Sequence, residues 1–225
     1  MTEPDWLAST DPAPMLEYLH NQVSDRKLIL FAAACCRHIW HLLNDERCRA
    51  AVEMAERFAD GRANVKELST ARRGTIAAEF VVGPAARAAY WTAHFRPTET
   101  VSNVHNAAAE AETRAATRAV TSGWAEEWNA VYAAATQAQA ALLRDIVGNP
   151  FHPVAIDPAW VAWSRSTVRR IAAEIYEEDR FAELPVLADA LEDAGCDDLH
   201  LLTHCRSDEM HVRGCWAIDL LLGRT

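Results

Sequence analysis

Glycine is scarce in this chain, at eight of 225 residues, and the usual signals of β-structure are missing with it. No segment sustains period-two alternation, and no Asn-Gly or Asp-Gly pair sits between alternating segments as a hairpin turn. Long apolar runs are missing too. The longest approach to one, Leu28 to Leu43, is broken by Arg37, His38 and His41, which makes it too polar for a bilayer helix. The first residues hold Glu3 and Asp5, with no basic region leading into an apolar block, so a signal peptide is not expected. These absences point to a cytoplasmic protein with no membrane partner. Positive charge is also thin. The net charge is -10 and the one arginine cluster, Arg72-Arg73, is short. Nucleic-acid binding needs concentrated Lys and Arg to displace counterions, so it is not expected. No Gly-rich phosphate loop, nucleophile elbow, His-Glu-x-x-His motif or Cys-x-x-Cys pair is present. Whether the chain is an enzyme is therefore left open, because catalytic groups can also assemble in space.

What is abundant is alanine, the strongest helix former, in a chain that is 50% hydrophobic with a mean hydropathy of -0.14. The expected fold is all-α: a multi-helix bundle with a smaller helical C-terminal subdomain. The spacing predicts a first helix from Pro12, capped by Asp11. A second, capped by Ser24, should run to about Leu43, with Leu28, Phe31, Cys35, Ile39 and Leu42 as its core stripe. A third carries Cys48, Val52, Ala55 and Phe58 inward and stops at Asp60-Gly61, where glycine can take the left-handed conformation. Further helices are expected over 64–82, with Val65, Leu68, Ile76 and Phe80 apolar, and over 85–95. An alanine-rich stretch over 98–147 is one interrupted helix or two, with Ser122-Gly123 as a weak break. Gly148-Asn149-Pro150-Phe151-His152-Pro153 cannot continue a helix. The boundary is placed there, giving a bundle over 1–147 and a subdomain over 148–225. In the subdomain, Pro158 opens a turn around Trp160, and Ser166 or Thr167 starts a helix. Leu184 to Ala194 forms another, Asp197 or Asp198 caps a short one to Cys205, and Val212 to Leu222 is the last.

The six cysteines are Cys35, Cys36, Cys48, Cys196, Cys205 and Cys215. Without a secretory signal, reduced thiols are expected, several of them as small core hydrophobes. The strongest constellation lies near the C-terminus. His200 and His204 are four residues apart and share a helical face, and His211 and Cys215 are also four apart across the next helix start. Cys196, His204, Cys205, His211 and Cys215 are the candidate metal ligands, since zinc takes nitrogen and sulfur donors in a tetrahedral shell. No cofactor is required by the sequence, and zinc is the alternative. The competing interpretation is buried thiols with unrelated histidines. Cys35, Cys36, His38 and His41 form a second cluster, on a stripe that already reads as core. Asp189 and Asp219 lie within apolar helices, with Arg206 and Arg213 as candidate ion partners, because a buried carboxylate needs one. Trp6, Trp40 and Trp216 are expected to pack, whereas Trp124, Trp128, Trp160 and Trp163 flank polar or irregular segments.

The segment Asp5-Trp6-Leu7-Ala8 with Asp11-Pro12 and Pro14-Met15-Leu16-Glu17, then Ser24 to Leu28 leading into Cys35-Cys36-Arg37, has a family look. So do Leu187 to Cys196, His204-Cys205-Arg206 and His211 to Trp216, together with Gly148-Asn149-Pro150-Phe151. These segments resemble an uncharacterised planctomycete protein family whose C-terminal parts recur in multidomain proteins. The resemblance covers both ends and little of the middle. It implies a bacterial setting and use as a module, and it assigns no catalytic residue. The first functional expectation is thus a helical interaction module, a scaffold or adaptor whose partner is another bacterial protein. The second is a metal-binding protein or metal-dependent enzyme using the C-terminal Cys/His cluster. The third is a sensor with a small ligand in a helical crevice lined by tryptophans.

Overall fold

The computed structural model describes residues 1–118 and 123–224, with the side chains of 77–82 and 99 left out of the description. Phe80 and Ser122, used above, therefore lie outside the described side chains and residues. The described chain is helical without strands. No described helix is long and apolar enough to cross a membrane. Two compact units are present, Met1–Leu143 and Arg144–Thr225. The division falls four residues before the 147/148 boundary expected from the prolines.

The first unit opens with a helix that the spacing does not predict, α1 (Glu3–Ala8). Thr2 accepts from the Asp5 N–H, and the Asp5 carboxylate accepts in return from the Thr2 N–H, a reciprocal capping box. The helices α2 (Pro12–Tyr18), α3 (Asp25–His38), α4 (Glu46–Ala59) and α5 (Val65–Val82) follow. Asp11, Ser24, Asp45 and Asn64 cap them through side-chain oxygens, satisfying N–H groups that have no helical partner. α3 is shorter than expected: it ends at His38, and a 3-10 turn covers Trp40–Leu42. Then come α6 (Pro84–Thr92), α7 (Pro97–Thr117) and α8 (Trp124–Val147). The alanine-rich middle is thus two helices.

α3 packs on α4, α6 and α7, α4 on α5 and α6, and α6 on α7. Alanine makes this closeness affordable. Ala85, Ala86, Ala88 and Ala89 of α6 and Ala107, Ala108 and Ala109 of α7 are all buried, and a methyl group lets two backbones approach closely. Larger side chains fill the centre, among them Leu30, Phe31, Val52 and Val104. The Gln139 amide of α8 donates to the His105 carbonyl of α7 at 3.0 Å.

The second unit begins with the last turn of α8. It continues through α9 (Pro158–Glu177), a 3-10 turn at Phe181–Glu183, α10 (Leu184–Asp193), α11 (Leu199–Cys205) and α12 (Trp216–Leu222). Its core joins Val168, Ile175, Tyr176, Leu187, Leu191, Leu201 and Ile218. α9 is two helical pieces. Trp163 is extended, and Ser164, Arg165 and Ser166 have φ of 46, 62 and 63°, a left-handed turn ahead of the helix expected from Ser166 or Thr167. α12 starts at Trp216 rather than Val212, so residues 207–215 form an irregular loop. Asp189 is exposed and pairs with Arg206 at 2.8 Å, whereas Asp219 is buried.

Candidate metal centre

α8 runs on past Leu143 into the second unit, where Ile146 is buried and Asp145 is carried inward with it. A carboxylate there faces the negative end of the helix dipole and loses hydration. Two donors meet it. The His211 Nδ1 lies 2.6 Å from Oδ1, and the Val212 N–H donates to Oδ2 at 2.9 Å. Burial pushes the Asp145 carboxyl up, opposed by His211, Val212 and Cys215. Burial works against protonation of His211 too, but the hydrogen bond and charge of Asp145 carry the ring above its ordinary value. On the far side of that ring, Nε2 lies 3.2 Å from the Ser207 hydroxyl.

The other two groups come from α11 and α12. Asp198 caps α11, which places His204 in its last turn. Cys215 is the residue before α12, with its thiol fully buried. The His204 Nε2 lies 3.1 Å from the Cys215 Sγ and 3.4 Å from the Asp145 Oδ1. Burial, with His211 and His200 nearby, lowers His204 to about 3, so its ring is neutral near pH 7. Burial and the Asp145 charge push the Cys215 thiol well above its ordinary value. Trp216 closes one side: it stacks on His200 at 5.3 Å and lies 4.8 Å from the His204 ring. That position depends on Gly148, where an added Cβ would meet the indole at 3.0 Å.

One donor atom each from Asp145, His204, His211 and Cys215 lies within 4.8 Å of the others. Tetrahedral zinc, with bonds of about 2.0–2.3 Å, sets its donors roughly 3.3–3.8 Å apart. Three separations within the group, 2.6, 3.1 and 3.4 Å, lie below or within that range, and the donor types suit zinc. If Nδ1 of His211 is the donor, Ser207 becomes the outer partner that fixes the ring, an arrangement common to metal-bound histidine.

Of the residues singled out from sequence, His204, His211 and Cys215 are brought together. Cys196 and Cys205 are not part of this group. Cys205 sits in the hydrophobic core, where burial pushes its thiol up to about 12. Cys196 is buried beside the same core and is likewise raised by burial. His200 faces Trp216. The expected i, i+4 relation of His211 and Cys215 does not operate, because both precede α12; the folding of the 207–215 loop unites them. Asp145 was not anticipated. Its one sequence signal is an acid among Leu142, Leu143, Ile146 and Val147. Cys35 and Cys36 are buried free thiols, and His38 pairs with Glu112 at 3.7 Å. No family model, curated protein or solved structure matches the chain.

Proposed function

We propose that residues 144–225 form a helical module fastened by one transition-metal ion, zinc by the character of its donors, with Asp145, His204, His211 and Cys215 as ligands. The observation that carries this reading is the convergence of four metal-binding side chains from three separate segments within 4.8 Å. The ion is structural. Four protein donors leave no open position for substrate, and Asp145, His211 and Cys215 are almost inaccessible. An ion would supply positive charge beside the buried Asp145 carboxylate at its helix end. It would also tie the last turn of α8 to the loop and to α12.

Elemental analysis of the purified chain tests this. About one zinc per chain is expected in the unaltered protein, and far less in Asp145→Ala and Cys215→Ser. A chain without stoichiometric metal after growth in zinc-replete medium would make the cluster a buried hydrogen-bonded network instead.

The interaction-module reading is favoured by a separate observation. Leu199, Met210 and Val186 of the same unit are 77, 60 and 53% exposed, and apolar side chains suit a protein partner where they gather into one patch. The two readings are compatible, since a fastened helical module gives a rigid face. Leu199→Asp should abolish co-purification of a reproducible partner from the native host while leaving the metal content unchanged. Retained co-purification would remove Leu199 from the recognition face.

A further inference from the structure

The first unit holds a recess of about 500 Å³ between the start of α2, the middle of α7 and the first half of α8. Its walls include Trp128 and Tyr132, one helical turn apart on α8. Asp11, His105, Asn106 and Asn129 line it as well, with His105 almost wholly buried. Of the groups around it, His105 and Asp11 keep polar atoms without a side-chain partner among the described residues. His105 is 2% exposed, yet neither ring nitrogen has a hydrogen-bond partner among the described residues. Asp11 caps Ala13 with one oxygen, and no described basic side chain pairs with its carboxylate. Tyr132 spends its hydroxyl proton on Asn106 at 3.1 Å. Unpaired polar groups around an apolar concavity are what a small-molecule site requires.

Charge narrows the class of ligand. Asp11 is the one acidic or basic residue, apart from His105, among those lining the recess. Its field is felt across the cavity: it opposes the lowering of His105 that burial causes, and it adds to the raising of Tyr132 by burial. One carboxylate is a poor start for a calcium shell of about six to eight oxygens. A single carboxylate with two aromatic rings instead matches an organic cation, whose charge lies over a ring face. We propose that this recess binds a small organic ammonium ion, with Asp11 as counter-charge, Trp128 and Tyr132 as aromatic walls and the unpartnered His105 ring as a hydrogen-bonding group. This site is independent of the metal centre and would stand if that centre failed.

Calorimetric titration of the full chain tests it, with choline as probe and 3,3-dimethyl-1-butanol as its uncharged isostere. One saturable choline site is expected, binding at least about tenfold more tightly than the isostere. Asp11→Asn keeps an oxygen for the helix cap and should weaken choline about tenfold. Trp128→Leu should do the same, with helicity and melting unchanged in both variants. Absence of saturable choline binding would overturn the proposal. So would equal binding of the isostere, or full affinity in Asp11→Asn.

Discussion

At the end of a helix the carbonyl groups point outward, and a buried acid there is opposed by their field and by lost hydration. Asp145 bears both costs and recovers them from His211 and the Val212 N–H. A residue so placed was legible only as an oddity, because its partners lie more than sixty positions away and nothing in local spacing joins them. Chemistry by residue type was legible at His204, His211 and Cys215. Orientation was not: Cys196 and Cys205 offer the same sulfur but lie outside the group of four donors. Gly148 is tested at this scale. Its φ is +77° and its missing Cβ makes room for Trp216. Gly148→Ala should cost about 1–3 kcal/mol by overpacking and backbone strain, read as a lower urea midpoint with unchanged slope. His38 gives a pH signature. The Glu112 carboxylate holds its ring above the ordinary value, against partial burial. Such a contribution is complete below the unfolded value of about 6.5 and fades as pH rises through the higher folded one. His38→Gln should therefore destabilise by a few tenths of a kcal/mol near about pH 5.5, the size of a partly exposed pair. Near about pH 8.5 it should have almost no effect.

At the scale of elements, caps and stops were readable wherever a side chain performs the task. Asp11, Ser24 and Asp198 start helices as expected, and the stop at Gly61, with φ of 70°, follows glycine's freedom. α1 escaped because six residues give no periodic stripe, and its signal is a lone capping box. α12 was drawn too early because Val212 looks like an apolar helix start, whereas its N–H is committed to Asp145. The kink in α9 is the least legible feature. Ser164, Arg165 and Ser166 are left-handed, which costs roughly 1 kcal/mol or more for each L-residue with a side chain. Arg165→Gly should relieve part of this and leave stability unchanged or raised by up to about 1 kcal/mol. Arg165→Val, with its branched Cβ, should lower it by at least about 1 kcal/mol. Thermal melts of the two variants, measured side by side, check the opposite signs.

For the molecule as a whole, an all-α architecture follows from composition, whereas the candidate metal centre follows from the path of a loop. Removing the proposed ion should therefore act locally. An ion held about 100-fold above its Kd stabilises by roughly 2.7 kcal/mol. Chelation should raise amide exchange in α11, α12 and residues 207–215 and leave α3, α4 and α6 protected. Uniform change across the chain, or none, would contradict a local fastening. The most direct measurement is the absorption spectrum of the chain reconstituted with Co(II) in place of zinc. Intense visible bands of a tetrahedral ion and a thiolate-to-cobalt charge-transfer band are expected, saturating at one equivalent. Cys215→Ser should lose the charge-transfer band, while Cys205→Ser and Cys196→Ser keep it. A weak octahedral spectrum, or a charge-transfer band that survives Cys215→Ser, would contradict the assigned ligand set.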